Sequence, residues 1–310
     1  MRFYTGLVAL ALALFSGNAE AAACSCSRNV ALPSGNILRP GALIVGLDYG
    51  MNLEGDPALW RGFKVIDRYG DSMAGMYMPP MLVQMGTLTA TVGLPQQFSI
   101  STSLPYMYKD NLGESEMPGD TDLSSFNDVD LTGRWGHLSH DTRTFYGFGL
   151  GVTFPTGTVI ENSAVRSGRG VIGGTVSANV GRKLSPHVGV AAQATASIGT
   201  GADQTGYIVA PNASLVAGAR WSPRENGRVD LAVFGIQRWT GQDRKDALVY
   251  KNSGSIATDL AAAFAYTFWR EDVRSAGVML RGQMPLFQVV GDPMYAQNFG
   301  GAVSFSVTAL

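Results

Sequence analysis

The chain has 310 residues, a formal net charge of −1, 15% charged residues and 39 glycines. A surface this close to neutral excludes nucleic acid as the partner, because neutralising phosphates requires a basic face. No stretch approaches the roughly 18 consecutive apolar residues of a membrane-spanning helix, and two cysteines cannot staple a fold of this size.

The first residues carry a charge at Arg2, an apolar run from Leu7 to Phe15, and Ala19-Glu20-Ala21. Charge, short apolar core and small-x-small site form the pattern of a secretory signal peptide, expected over residues 1–21. Residues 22–39 then form a periplasmic N-terminal segment containing Cys24-Ser25-Cys26, and residues 40–310 form the main domain.

From there on, segments with a period of two recur. Leu43, Val45, Leu47, Tyr49 and Met51 share one face. Leu88, Ala90, Val92 and Leu94 share another face, with Thr87, Thr89 and Thr91 opposite, and Phe98, Ile100 and Leu104 alternate with Ser99, Ser101 and Ser103. Val129, Leu131 and Trp135 stand against Asp128, Asp130 and Arg134. Similar segments lie near 143–154, 170–183, 187–199, 206–221, 228–238, 255–268, 276–287 and 298–309. Period two is the mark of a strand with two unlike faces. Twelve such segments of about 10–15 residues match tilted strands crossing a hydrocarbon core.

In lipid an open sheet edge would leave its N–H and C=O groups unsatisfied, so such strands must close. The connections agree. Long 52–81 is followed by short Leu94-Pro95-Gln96-Gln97, long 108–125 by short Leu138-Ser139-His140-Asp141, and long and short continue to alternate to the C-terminus. The prediction is an all-β, transmembrane, antiparallel up-and-down β-barrel of about 12 strands, in the outer membrane of a Gram-negative bacterium. Long loops face outward and both termini face the periplasm. Tyr49, Tyr106, Trp135, Trp221, Trp239, Trp269 and Phe287, near segment ends, are expected at the two interfaces.

Four stretches go further: SISTSLPYMYKD (99–110), DVDLTGRWG (128–136), GLGVTFPTG (149–157) and LRGQMPLFQVVGD (280–292). Together they resemble the MetA-pathway phenol-degradation family of outer-membrane transporters. The resemblance covers roughly residues 40–310 and implies a barrel that passes small hydrophobic or aromatic compounds inward.

Alternation points Asp128, Asp130, Arg134, Arg220, Asp259, Arg281 and Gln283 into the lumen. An Arg on the lipid face would cost roughly 2–4 kcal/mol at mid-depth. Inside, these groups either line a water path or pair across a narrow barrel and brace it. The acids Asp110, Glu114, Glu116, Asp120 and Asp122 are expected in a solvated outer loop. His137 and His140 flank a short turn and His187 lies in another, a spacing that suits no metal. No G-x-S-x-G or H-E-x-x-H occurs, and the expectation is a non-catalytic protein.

The methionines Met73, Met76, Met78 and Met81 form the unusual stretch. Thioethers are soft ligands for Cu(I), and Cys24 and Cys26 offer a second soft pair. Flexible apolar packing accounts for the same methionines without a metal. Two functions follow. The first is a channel for small hydrophobic or aromatic solutes with no cofactor. The alternative is a barrel that partners a periplasmic redox or copper-handling protein through its Cys/Met-rich segments.

Overall fold

The computed structural model describes residues 38–54, 64–67, 81–111, 123–141, 143–158, 168–223, 229–242, 244–245, 248–249, 255–271, 274–290 and 297–309. The signal-peptide, Cys24 and Cys26 expectations fall outside them, as do Met73, Met76 and Met78, and of Met81 only the backbone is described.

Alternation of Leu, Val, Phe and Tyr with Ser, Thr and Gly builds twelve long strands. They are β1 Leu43–Glu54, β2 Met81–Gly93, β3 Phe98–Asn111, β4 Val129–Leu138, β5 Thr144–Phe154 and β6 Gly173–Lys183. The ring continues with β7 Val188–Gly199, β8 Asn212–Trp221, β9 Val229–Thr240, β10 Ser255–Glu271, β11 Arg274–Val290 and β12 Gln297–Ala309. Each pairs antiparallel with the next, and β1 pairs antiparallel with β12 over Leu43↔Ala309 to Glu54↔Gln297, so the sheet closes on itself. The fold is a closed transmembrane barrel of 12 strands, with an apolar outer face and, on β2 and β3, a polar inner one. Leu47, Leu150, Val233 and Phe305 are each more than half exposed on the outer face. Thr89, Ser101, Ser103 and Thr91 are nearly covered on the inner one.

The strands run farther than the sequence pattern indicates. β10 and β11 reach 17 residues each, leaving only two residues between them. Asp110, expected in the outer loop, belongs to β3, and His137 belongs to β4. These ends carry polar residues that read as loop, but backbone pairing continues as long as a partner strand is present.

Two departures concern the long-loop end. The segment Leu123–Phe126, inside an expected loop, pairs antiparallel with β3. Lys64–Asp67 pairs parallel with Phe287–Val290 of β11. It covers an edge that β12 leaves, since β11–β12 pairing ends at Gln283↔Gly300. At the short-turn end the β2–β3 connection holds Gln96 and Gln97 at φ of 59° and 68°, left-handed values that let three residues reverse the chain.

Candidate functional site

The lumen is built from the inward residues of every strand, and it has two unlike walls. One wall is polar. Thr89 and Thr91 of β2 are in register with Ser103 and Ser101 of β3, with Thr91 Oγ1 and Ser101 Oγ 2.9 Å apart, and Thr87 and Ser99 are buried on the same face. Asp48 of β1 lies beside Ser304 of β12, and Arg281 of β11 is within electrostatic range of Asp48.

The other wall is apolar. Val216 of β8, Ala232, Phe234 and Ile236 of β9, Ala261, Ala263 and Ala265 of β10 and Met279 of β11 form one buried cluster. Their neighbours along β9, Leu231 and Val233, are exposed outward, so this cluster lies inside the barrel. Gly218 makes the packing possible, because a Cβ there would run into the Phe234 backbone and the Val233 carbonyl. Strands β9 and β10 are apolar on both faces along their middle, a wall that the inward Asp, Arg and Gln residues read from the sequence do not reveal. The signal available was the loss of alternation in LAVFGI (231–236) and LAAAFA (260–265).

Ion pairs bound the apolar wall at both ends. Toward the long loops, the Arg238 guanidinium donates to the Asp259 carboxylate. Toward the short turns, the Ser222 hydroxyl donates to the Asp230 carboxylate, and Arg220 Nε lies 3.9 Å from Asp230 Oδ1. Along the inner face of β9 the order is therefore Asp230, three apolar side chains, then Arg238.

All seven residues expected in the lumen lie away from the lipid face. Asp128, Asp259 and Arg281 are buried, and Asp130, Arg134, Arg220 and Gln283 are half-buried. They do not converge on one spot. Asp130 accepts from Thr153 on β5, Arg220 sits beside Asp230, and Asp259 holds Arg238. Asp128 lies at the mouth, just before β4, where its Oδ1 accepts from the Gly157 N–H at 2.9 Å and its Oδ2 from the Arg169 N–H at 2.6 Å. Burial raises its carboxyl above the usual value, against the pull of the two amides and the Arg169 charge.

Arg169 is the other residue that the sequence left unmarked. It lies in what reads as an outer loop, yet it is 1% exposed, and its Nη2 donates to Ser197 Oγ on β7 at 3.2 Å.

The outer wall has its own features. Trp135, His137 and Tyr146 cluster outward at the short-turn end, with Trp135 stacked on His137 and the His137 and Tyr146 ring centroids 5.0 Å apart. His187 Nδ1 lies 2.9 Å from the Ser222 carbonyl. A groove of about 740 Å³ is framed mainly by the outward side chains Leu150, Val176, Ile198, Trp239 and Ile256.

No protein-family model and no curated protein matches this chain. Among solved structures, an outer membrane channel from Pseudomonas putida F1 is 15% identical, with 88% of this chain covering 97% of that one at a TM-score of 0.70. The fold is thus shared with an outer-membrane channel. The NanC porin is 8% identical over 84% of this chain and 98% of its own, at a TM-score of 0.47. The Pseudomonas putida toluene transporter TodX is 10% identical over 88% and 90%, at 0.39. At these last two scores the likeness does not bear on function.

Proposed function

We propose that this protein is a non-catalytic outer-membrane channel for small hydrophobic or aromatic solutes. The observation that carries the reading is the apolar wall inside the barrel. A porin that passes polar solutes has a polar, water-filled lumen. Here eight apolar residues on β8–β11, centred on Phe234 and Ile236, leave one side of the lumen dry. An apolar solute moving along that side exchanges water for side-chain contact, worth about 25 cal/mol per Å² of surface covered. The charged pairs bound this dry stretch at its two ends, and the Thr and Ser side chains of β2 and β3 give the other wall its wet character.

The resemblance of residues 40–310 to the MetA-pathway phenol-degradation transporters supports the same solute class. The remaining placement follows from topology. With an even number of strands both termini lie on one side, and long connections on outer-membrane barrels face outward, so the termini and the short turns face the periplasm. In this reading Asp128, Asp130, Arg134, Arg281 and Gln283 line the wet wall, and Arg220 and Asp259 anchor the dry one.

The test uses 1-N-phenylnaphthylamine, an aromatic probe that an intact lipopolysaccharide layer keeps out and that fluoresces on reaching phospholipid. Cells making the protein should take up the probe several-fold faster than cells without it. The double variant Phe234→Asp/Ile236→Asp, folded by heat-modifiable migration, should return uptake to the level of cells without it. Equal uptake with and without the protein overturns the proposal.

A further inference from the structure

The described ends of the β5–β6 connection do not stand free of the barrel. Its first and last described stretches, residues 155–158 and 168–172, meet at a neck where a Cβ on Gly157 would lie 2.7 Å from Gly168 Cα. Asp128 clasps both sides of that neck through the Gly157 and Arg169 amides. A Cβ on Gly168 would run into the same carboxylate. Around this clasp, Thr156 Oγ1 accepts from the Val129 N–H at 2.9 Å and donates to the Asn127 carbonyl at 3.1 Å. The Ser125 and Thr158 hydroxyls are 2.5 Å apart. Beyond the neck the chain turns inward. Arg169 reaches Ser197 on β7, and Ser197 Oγ donates to Asn212 Oδ1 on β8 at 2.7 Å. The contacts run without a break from the foot of β4 to β8, a third of the way round a ring of twelve.

We infer that Asp128 and Arg169 hold the neck of the β5–β6 connection as a strap laid along the inner rim of the long-loop mouth from β4 to β8, and that this strap sets the largest solute able to enter. The inference rests on the channel reading above. A segment inside the mouth is stable only if its backbone donors are satisfied, and here a carboxylate satisfies two of them with charge-assisted bonds. The Asp128 carboxylate is also within electrostatic range of the Arg169 charge, which favours its ionised form. Because Arg169 is 1% exposed, it shows no charge to a passing solute, and its effect on selection is steric. Asp128 and Arg169 are thus positioning residues.

The experiment compares the wild type with Asp128→Asn and Arg169→Ser in a background carrying Cys24→Ser and Cys26→Ser, each checked for folding by heat-modifiable migration. Single-channel conductance should rise at least twofold in both variants, and raffinose should enter proteoliposomes at least threefold faster than through the wild type. Adding Ser125→Cys and Thr158→Cys to Asp128→Asn should restore the wild-type limit when oxidised and release it again with dithiothreitol. Unchanged conductance and raffinose entry in both variants overturns the strap. A wild type and variants that all fail to conduct would instead sink the channel reading, and trypsin then reads the strap separately. Cleavage after Arg169 in Asp128→Asn but not in the wild type supports the strap, whereas equal cleavage overturns it.

Discussion

Arg238 of β9 and Asp259 of β10 form an ion pair inside the barrel, with Arg238 nearly covered and Asp259 2% exposed. They lie diagonally across the ladder, since Arg238 is in register with Ala257 and Asp259 with Ile236. The pair is only partly satisfied, because Arg238 Nε and Asp259 Oδ1 have no hydrogen-bond partner. Removing one member strands the other, a loss of roughly 3–5 kcal/mol for a buried pair. Replacing both with apolar groups of similar volume is often neutral. Guanidinium unfolding in detergent micelles should therefore show Asp259→Leu and Arg238→Met each strongly destabilising, and the double variant recovering most of the loss. Additive losses in the double variant would show that the two residues act separately.

Gly218 of β8 is in register with Phe234 of β9, and it marks how tightly the dry wall is packed. A Cβ there would meet the Phe234 Cα at 2.7 Å as well as its side chain and the Val233 carbonyl. Forcing extra volume into such a core costs about 1–3 kcal/mol. Gly218→Ala should lower the unfolding midpoint accordingly. Because part of the clash is with backbone, Phe234→Ala should not rescue it, and the double variant should be less stable than either single one. A rescue would mean that only the ring resists the added methyl.

Why was so much of this barrel legible before its structure was known? Leu43 to Met51 and Val303 to Ala309 alternate because lipid and lumen impose opposite demands on adjacent residues, and that pressure writes itself into the sequence. Ring closure follows from the same demand, since no edge survives in lipid. The dry wall was not legible, because Phe234 and Ala263 face inward among outward residues that are also apolar, which erases the period. Arg169 escaped for a different reason. Its burial depends on Asp128, about 40 residues earlier in the chain, and no local pattern reports a contact of that range. The parallel pairing of Lys64–Asp67 with β11 is equally non-local, and its four residues are too short to stand out from a loop.

The outward face makes a direct prediction at Val233, which is 56% exposed near the middle of β9. If that face meets hydrocarbon, Val233→Arg should cost roughly 2–4 kcal/mol in a bilayer, and an Arg placed nearer the strand end at Leu231 should cost less. The comparison is made by reversible unfolding from phospholipid vesicles. Equal, small effects at both depths would mean that β9 is not embedded as its burial pattern indicates.

The β4–β5 turn offers a pH test outside the membrane-spanning strands. The Asp141 carboxylate accepts from the Ser139 hydroxyl and from the Arg143 N–H at 3.0 Å, with Arg182 of β6 adding a favourable charge. The Ser139 bond is the largest of these influences, and together they hold the carboxyl below its ordinary value of 3.8. A group whose value falls on folding binds its proton more readily in the unfolded chain, so it adds stability above that ordinary value and loses it as pH falls through its folded value. Asp141→Asn should therefore be less stable than the wild type at pH 7, and the two should converge as pH drops well below 3.8. The effect is small because Asp141 is exposed and water screens it. The gap between the two proteins is the measurement, since other acids titrate in both and cancel. A gap that persists unchanged at low pH would show that the side chain's shape, rather than its charge, shapes this turn.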